Sequence, residues 1–351
     1  MDKADFYDLM KSVPKAELHV HEEAVLSHST LKTVFARSSG APMSEEELSS
    51  LFAYTDLAGF LDSFIKIQSY FTQIDDLSLL FDDFGSYLEE NNIVYAETFF
   101  SPTSHLKKGW DYDKMMAFVQ AGVDKIERTS GRVVKVLVDV SRSFGPDNAM
   151  RNLDLLLKAH TPCVIGIGLG GDEKKGPARE YKDVFGKAKA EGLHTVLHAG
   201  ETCGVDSIRE AITLCSAERI GHGVSAAQDE DYTKHLASIK IPLEVCPTSN
   251  VFLLKELQGD IRRHPIKKLY DAGVFITLAT DDPTFFKASL LDEYWNLYGT
   301  LGFSLVDIKH ILENGFTASF LSEGQKSTFL QRLDDAWLSW FASRGMSSPQ
   351  S

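Results

Sequence analysis

Cysteine is scarce in this chain, and so is any excess of positive charge. Four cysteines, Cys163, Cys203, Cys215 and Cys246, stand among 351 residues. None pair as CxxC and none form a small-scaffold framework, so a disulfide-stapled domain is excluded. A reduced, cytoplasmic protein fits that usage. Lys and Arg number 36 against 50 Asp and Glu, a net charge of -14. That balance leaves no broad basic face of the kind a nucleic-acid partner requires. No apolar run reaches transmembrane length, and no membrane partner is expected. The N-terminus has no basic segment followed by an apolar one, so no secretory signal is read. No GxGxxG follows the first predicted strand, which disfavours a dinucleotide-binding sheet. Linkers, low-complexity tracts and short-period repeats are also missing.

What is present is ordinary for a soluble globular protein: 43% hydrophobic and 25% charged residues. Barrels of this length are often one domain. Residues 1–351 are therefore read as a single domain with a loose tail at about 345–351. Apolar runs of strand type centre near Glu17, Tyr95, Val136, Ile165, Val196, Ile220, Leu243 and Ile276. Helical patterns fill the intervals. Strand-helix repetition predicts a parallel α/β sheet. Eight repeats predict a (β/α)8 TIM barrel with its site at the carboxyl ends of the strands. A doubly wound open sheet is the alternative. The aromatic, helically patterned stretch 56–70 reads as core or as the cover of a pocket.

The polar residues at the predicted strand ends form one pattern. Strand one, Pro14-Lys15-Ala16-Glu17-Leu18-His19-Val20-His21, alternates and puts Glu17, His19 and His21 on one face. His198 ends strand five and is followed by Ala199-Gly200-Glu201. His222 lies at strand six. Asp281 and Asp282 end strand eight before Pro283, and strand alternation predicts that the two acids point different ways. Each piece alone has a bland reading: an edge strand, a helix-start acid, a solvated turn. Gathered at one barrel mouth, three histidines and a carboxylate suit a borderline divalent cation, zinc first. Such an ion lowers the pKa of its water toward ~7. Glu201 suits the acid that protonates a substrate or leaving group, and His222 or Asp282 suits the group that orients hydroxide. Gly170-Gly171 at the end of strand four allows close backbone approach to a ligand. Cys246 has no base nearby in sequence and reads as packing.

On five motifs in order, the chain resembles the adenosine deaminase family of zinc-dependent purine aminohydrolases. They are Pro14 to His21 as quoted, Gly171-Asp172-Glu173, His198-Ala199-Gly200-Glu201, Arg219-Ile220-Gly221-His222-Gly223 and Thr280-Asp281-Asp282-Pro283. Cys246-Pro247-Thr248-Ser249-Asn250 matches a further family segment. The resemblance spans about 12–320. It implies one zinc ion per chain on His19, His21, His198 and Asp281. It implies that Glu201 donates a proton to purine N1 and that His222 holds the hydroxide and stabilises charge forming at C6. Asp282 would orient the water and contact N7. Gly171 would meet N3 through its amide, and the acid at Glu23 would meet the ribose. The implied fold is the same barrel, with extra helices covering its C-terminal mouth. The implied partner is a small-molecule purine.

Three departures bear on the substrate. Glu22-Glu23-Ala24 stands where the family usually has Leu, an acid and Gly. Phe99 replaces an Arg after strand two, and Gly168 stands where an Asp is usual in strand four. The chemistry expected is hydrolytic deamination of a 6-aminopurine nucleoside, adenosine or a modified adenosine, to the 6-oxo purine and ammonia. The alternative is a free adenine or substituted adenine base. Outside that class stand another metal-dependent amidohydrolase reaction and a non-catalytic purine-binding protein.

Overall fold

A computed structural model describes residues 1–349. Eight strands form one sheet in sequence order, each parallel to the next. They are β1 (Lys15–His21), β2 (Ile93–Phe100), β3 (Val133–Asp139), β4 (Val164–Leu169), β5 (His194–Ala199), β6 (Arg219–His222), β7 (Leu243–Val245) and β8 (Ile276–Leu278). The sheet closes through a bridge between Val20 and Asp281. There the Asp281 amide donates to the His19 carbonyl at 3.1 Å, and the His21 amide donates to the Asp281 carbonyl at 2.9 Å. The expected (β/α)8 barrel is therefore present, and the open sheet is not.

The intervening helices follow from their sequence spacing. Tyr112–Ser130 buries Met116, Val119, Val123 and Ile126, which recur every three or four residues along one face. Asp111 caps its start, and Gly131 ends it at φ 68°. Ser44 and Glu47 form a capping box on Glu45–Leu51. The aromatic stretch at 56–70 folds as the helix Leu57–Ser69, capped by Asp56. It lies over the carboxyl ends of the strands, so the cover reading holds. Aromatic contacts fix it there: Phe60 packs on Phe285 and Phe286 with centroids 5.4 and 5.2 Å away. The Lys108 ammonium donates to the Gln68 and Phe71 carbonyls at 2.9 and 2.6 Å. A cation on these carbonyls also favours the negative end of the helix.

Ser348, in the tail expected to be loose, accepts at its Oγ from the indole of Trp337 in the last helix at 3.1 Å. The last two residues of that tail lie outside the described residues. No helix among the described residues is long and apolar enough to cross a membrane.

Candidate active site

The barrel mouth holds a cavity lined on one side by His21, His198, Glu201, His222, Asp281 and Asp282. Leu57, Phe60, Leu61 and Phe64 of the covering helix close it from above. Ser101, Asp139, Ser141, Ser143 and Gly171 form a second, more polar wall. His19 lies beneath, fully buried.

Each donor reaches this place for a local reason. His19 and His21 are two residues apart on β1, so both point into the barrel. His198 sits one residue before the end of β5. Gly221 on β6 leaves room for the His19 ring, because a Cβ there would lie 2.6 Å from His19 Cε1. His222 and Asp281 take left-handed backbone, φ 62° and 67°. Such conformations in non-glycine residues cost ~1–3 kcal/mol each and concentrate at functional sites.

The expected divergence of the two aspartates does not occur. β8 ends at Leu278, and the positive φ of Asp281 breaks the alternation. Both carboxylates face the same cavity, and an oxygen of each lies within 4.8 Å of the other and of a His21 nitrogen.

The donor set fits a metal ion. His21 Nε2 and His198 Nε2 are 3.3 Å apart. His19 Nε2 and His21 Nε2 each lie 3.4 Å from Asp281 Oδ1. A tetrahedron with bonds of ~2.05 Å, the usual zinc–nitrogen length, has edges of ~3.3 Å. His19 Nε2 is buried and has no hydrogen-bond partner, as expected of an atom meant for an ion. His19 Nδ1 is 2.7 Å from Glu244 Oε2, so the ring hydrogen belongs there and Nε2 is free. Glu244 is in turn paired with the buried Arg219, which also pairs with Glu97. Asp281 Oδ2 accepts from Ser249 Oγ at 2.6 Å. His222 has a ring nitrogen within 4.8 Å of donor atoms of His19, His198 and Asp281.

Glu201 is held by its own backbone. Glu173 accepts from the amides of Gly200 and Glu201 at 3.1 and 2.9 Å, and from Cys203 N and Ser207 Oγ at 3.3 and 3.0 Å. Burial, then repulsion from Asp281 and Glu173, pushes the Glu201 carboxyl well above the usual range. A carboxyl shifted in that direction holds its proton more tightly than a free one and can deliver it to a substrate base. His222 Nε2 is 3.9 Å from Glu201 Oε1. Gly171 lies on the cavity wall at φ 97°.

Glu23 is placed differently. It is absent from the cavity lining, and its Oε1 accepts from the Ser101 amide at 2.8 Å. The other two departures meet each other. A Cβ at Gly168 would lie 2.5 Å from Phe99 Cε1, so the ring occupies the space of the missing side chain. Phe99 then forms an apolar floor, with centroids 4.9, 5.1 and 5.4 Å from His19, His21 and His198.

A family model described as adenosine deaminase matches residues 14–336. The chain belongs to the adenosine deaminase family. It is a zinc-dependent hydrolytic deaminase, and its buried histidine–aspartate cluster offers a donor set for a metal ion. It is 33% identical over 319 residues to an adenine deaminase of Rhizobium rhizogenes, covering 91% of this chain and 98% of that protein. It is 33% identical over 343 residues to an aminodeoxyfutalosine deaminase of Streptomyces coelicolor, covering 97% of this chain and 88% of that protein. Among solved structures, an adenine deaminase from Arthrobacter aurescens superposes with a TM-score of 0.87 at 27% identity, over 93% of this chain and 99% of that one.

Sequence reasoning missed Glu244, Asp139 and His264. A charge inside the apolar run of strand seven, or at the end of strand three, was the available signal for the first two. His264 lies in a loop with no such mark.

Proposed function

We propose that the substrate is a 6-aminopurine without phosphate, read first as adenosine or a modified adenosine. The observation that carries this is the cavity itself. It joins the metal-type cluster, a Glu201 carboxyl whose pKa burial raises and a polar wall, and no Lys or Arg lines it among the described residues. A phosphate would call for such cations. Ser101, Asp139, Ser141 and Ser143 offer hydrogen-bond partners for sugar hydroxyls. A second reading is free adenine. It is supported by Glu23, which faces the Ser101 amide and not the cavity, and by the adenine deaminases among the relatives.

His19, His21, His198 and Asp281 would hold zinc, which supplies hydroxide at neutral pH by acidifying water to a pKa of ~7. Glu201 protonates a purine ring nitrogen, which makes C6 more electrophilic. His222 donates a hydrogen bond to the oxygen arriving at C6. Asp282, whose carboxyl burial and Asp281 push up, sits beside that oxygen to take and return its proton. Gly171 meets the ring edge through its backbone. Water is consumed, the 6-amino group leaves as ammonia, and a 6-oxo purine remains. We read the chain as one catalytic domain. The four unpaired cysteines fit a reducing compartment, so we place the activity in the cytoplasm.

Ammonia release from adenosine, adenine and AMP decides among the readings. A strong preference for adenosine removes the free-base reading, and turnover of AMP alone overturns both. Glu201→Gln should lower turnover by ~100-fold or more with zinc still bound. Near-normal turnover in that variant would remove Glu201 from the acid role.

A further inference from the structure

We infer that Asn250 and His264 are positioning residues that set the tautomer of His222, placing its ring hydrogen on Nε2, toward the cavity. The inference rests on the reading of His222 as a donor at the reacting carbon.

Four groups run inward in one line. The Ile266 amide donates to His264 Nδ1 at 3.1 Å. His264 Nε2 lies 3.2 Å from Asn250 Oδ1. Asn250 Nδ2 lies 3.1 Å from His222 Nδ1. His264, Asn250 and His222 are 4%, 0% and 1% exposed, so water offers no replacement partners.

The direction of every bond follows from the outer end. A backbone N–H has only one role, so His264 Nδ1 must be the bare nitrogen. Burial lowers the His264 pKa to about 3, and the ring is neutral at physiological pH. Its single hydrogen is therefore on Nε2 and points at Asn250. Asn250 must turn its carbonyl oxygen to that hydrogen, which turns its NH2 to His222. His222 Nδ1 then accepts, and the ring hydrogen sits on Nε2. Reversing the Asn250 amide would force His264 to present a hydrogen to the Ile266 amide, donor against donor. The chain thus reads the direction of one peptide bond into the active site.

Neither residue touches the substrate space: Asn250 and His264 are both absent from the cavity lining. Their effect passes through His222 alone. A histidine in the wrong tautomer retains its shape and loses its function.

The test uses the zinc-loaded enzyme labelled with 15N at histidine. Two-bond 15N–1H correlations read the tautomer, and His222 is assigned by the signal lost in His222→Gln. The wild type should show a bare Nδ1 and a protonated Nε2. In Asn250→Asp the carboxylate accepts from both neighbours, so the His222 hydrogen should move to Nδ1. There kcat should fall ~100-fold while KM stays within ~3-fold and zinc content is unchanged. His264→Gln can still accept from the Ile266 amide and donate to Asn250, and should keep kcat within ~3-fold. His264→Phe should not. A wild-type His222 with its hydrogen on Nδ1 overturns the inference, as does an Asn250→Asp enzyme whose tautomer is unmoved. A tautomer that moves without loss of kcat leaves the lock standing and overturns the role given to His222.

Discussion

Two pairs of adjacent acids flank the seam where the barrel closes. Glu22 and Glu23 follow β1, and Asp281 and Asp282 follow β8. All four are buried, with exposures of 0%, 2%, 4% and 2%. Asp281 has company: Ser249 Oγ at 2.6 Å and the His19 and His21 nitrogens at 3.4 Å. Burial works against its charge, but these partners hold its carboxyl well below the usual range. Glu22 has none. Neither of its oxygens has a hydrogen-bond partner, and the nearby Thr98 hydroxyl is committed to the Val20 carbonyl at 2.9 Å. Burial, then repulsion from Glu23, pushes its carboxyl well above the usual range. Glu23 lies between these extremes: the Ser101 amide partly offsets burial, and its pKa rises to about 7. The sequence neighbourhoods look alike. What separates them is the partners that the fold brings from distant residues, since a buried charge persists only where it is paired.

If Asp281 owes its charge to a shared ion site, removing it should do the most damage. Asp281→Ala should lose zinc and activity together, the latter by ~1000-fold or more. Metal content measured beside ammonia release checks this, and an active, zinc-free variant would break the comparison. Glu244 gives a finer probe, because it orients His19 without entering the cluster itself. Glu244→Gln should weaken zinc binding by ~10–100-fold. Competition with a chelator reads that change, and unaltered affinity would mean that His19 needs no such partner.

The eight strands and the polar groups at their ends were legible because each is a local pattern: alternation, an apolar run, an acid after a run. The structure brings His19, His21, His198, His222, Glu201, Asp281 and Asp282 to one mouth. The alternation rule failed at Asp281, where the strand had already ended and φ turned positive. Glu244, Asn250 and His264 were not read as site residues because their partners stand far off. His19 is 225 residues from Glu244. Asn250 and His222 are 28 apart, with β7 between them. The exchange of Phe99 with Gly168 was visible only as two separate departures, since packing across strands β2 to β4 leaves no trace in spacing.

The smallest effect concerns Glu22, and it tests whether its pair is a burden to the fold. Glu22→Leu replaces an unpartnered carboxyl with an apolar group of similar size. Removing a buried polar group that lacks partners should stabilise the protein by ~1–3 kcal/mol. The gain should depend on pH. Below an unfolded-state pKa of 4.5 the carboxyl is neutral whether folded or not, and the penalty is smallest. As pH rises the unfolded chain ionises while the folded one resists, so wild-type stability falls. Thermal unfolding from pH 5 to pH 8 should therefore show two curves that diverge, with Glu22→Leu ahead by more at the alkaline end. Parallel curves would mean that Glu22 finds a partner in solution, and the contrast with Asp281 would shrink to a difference in which groups each acid meets.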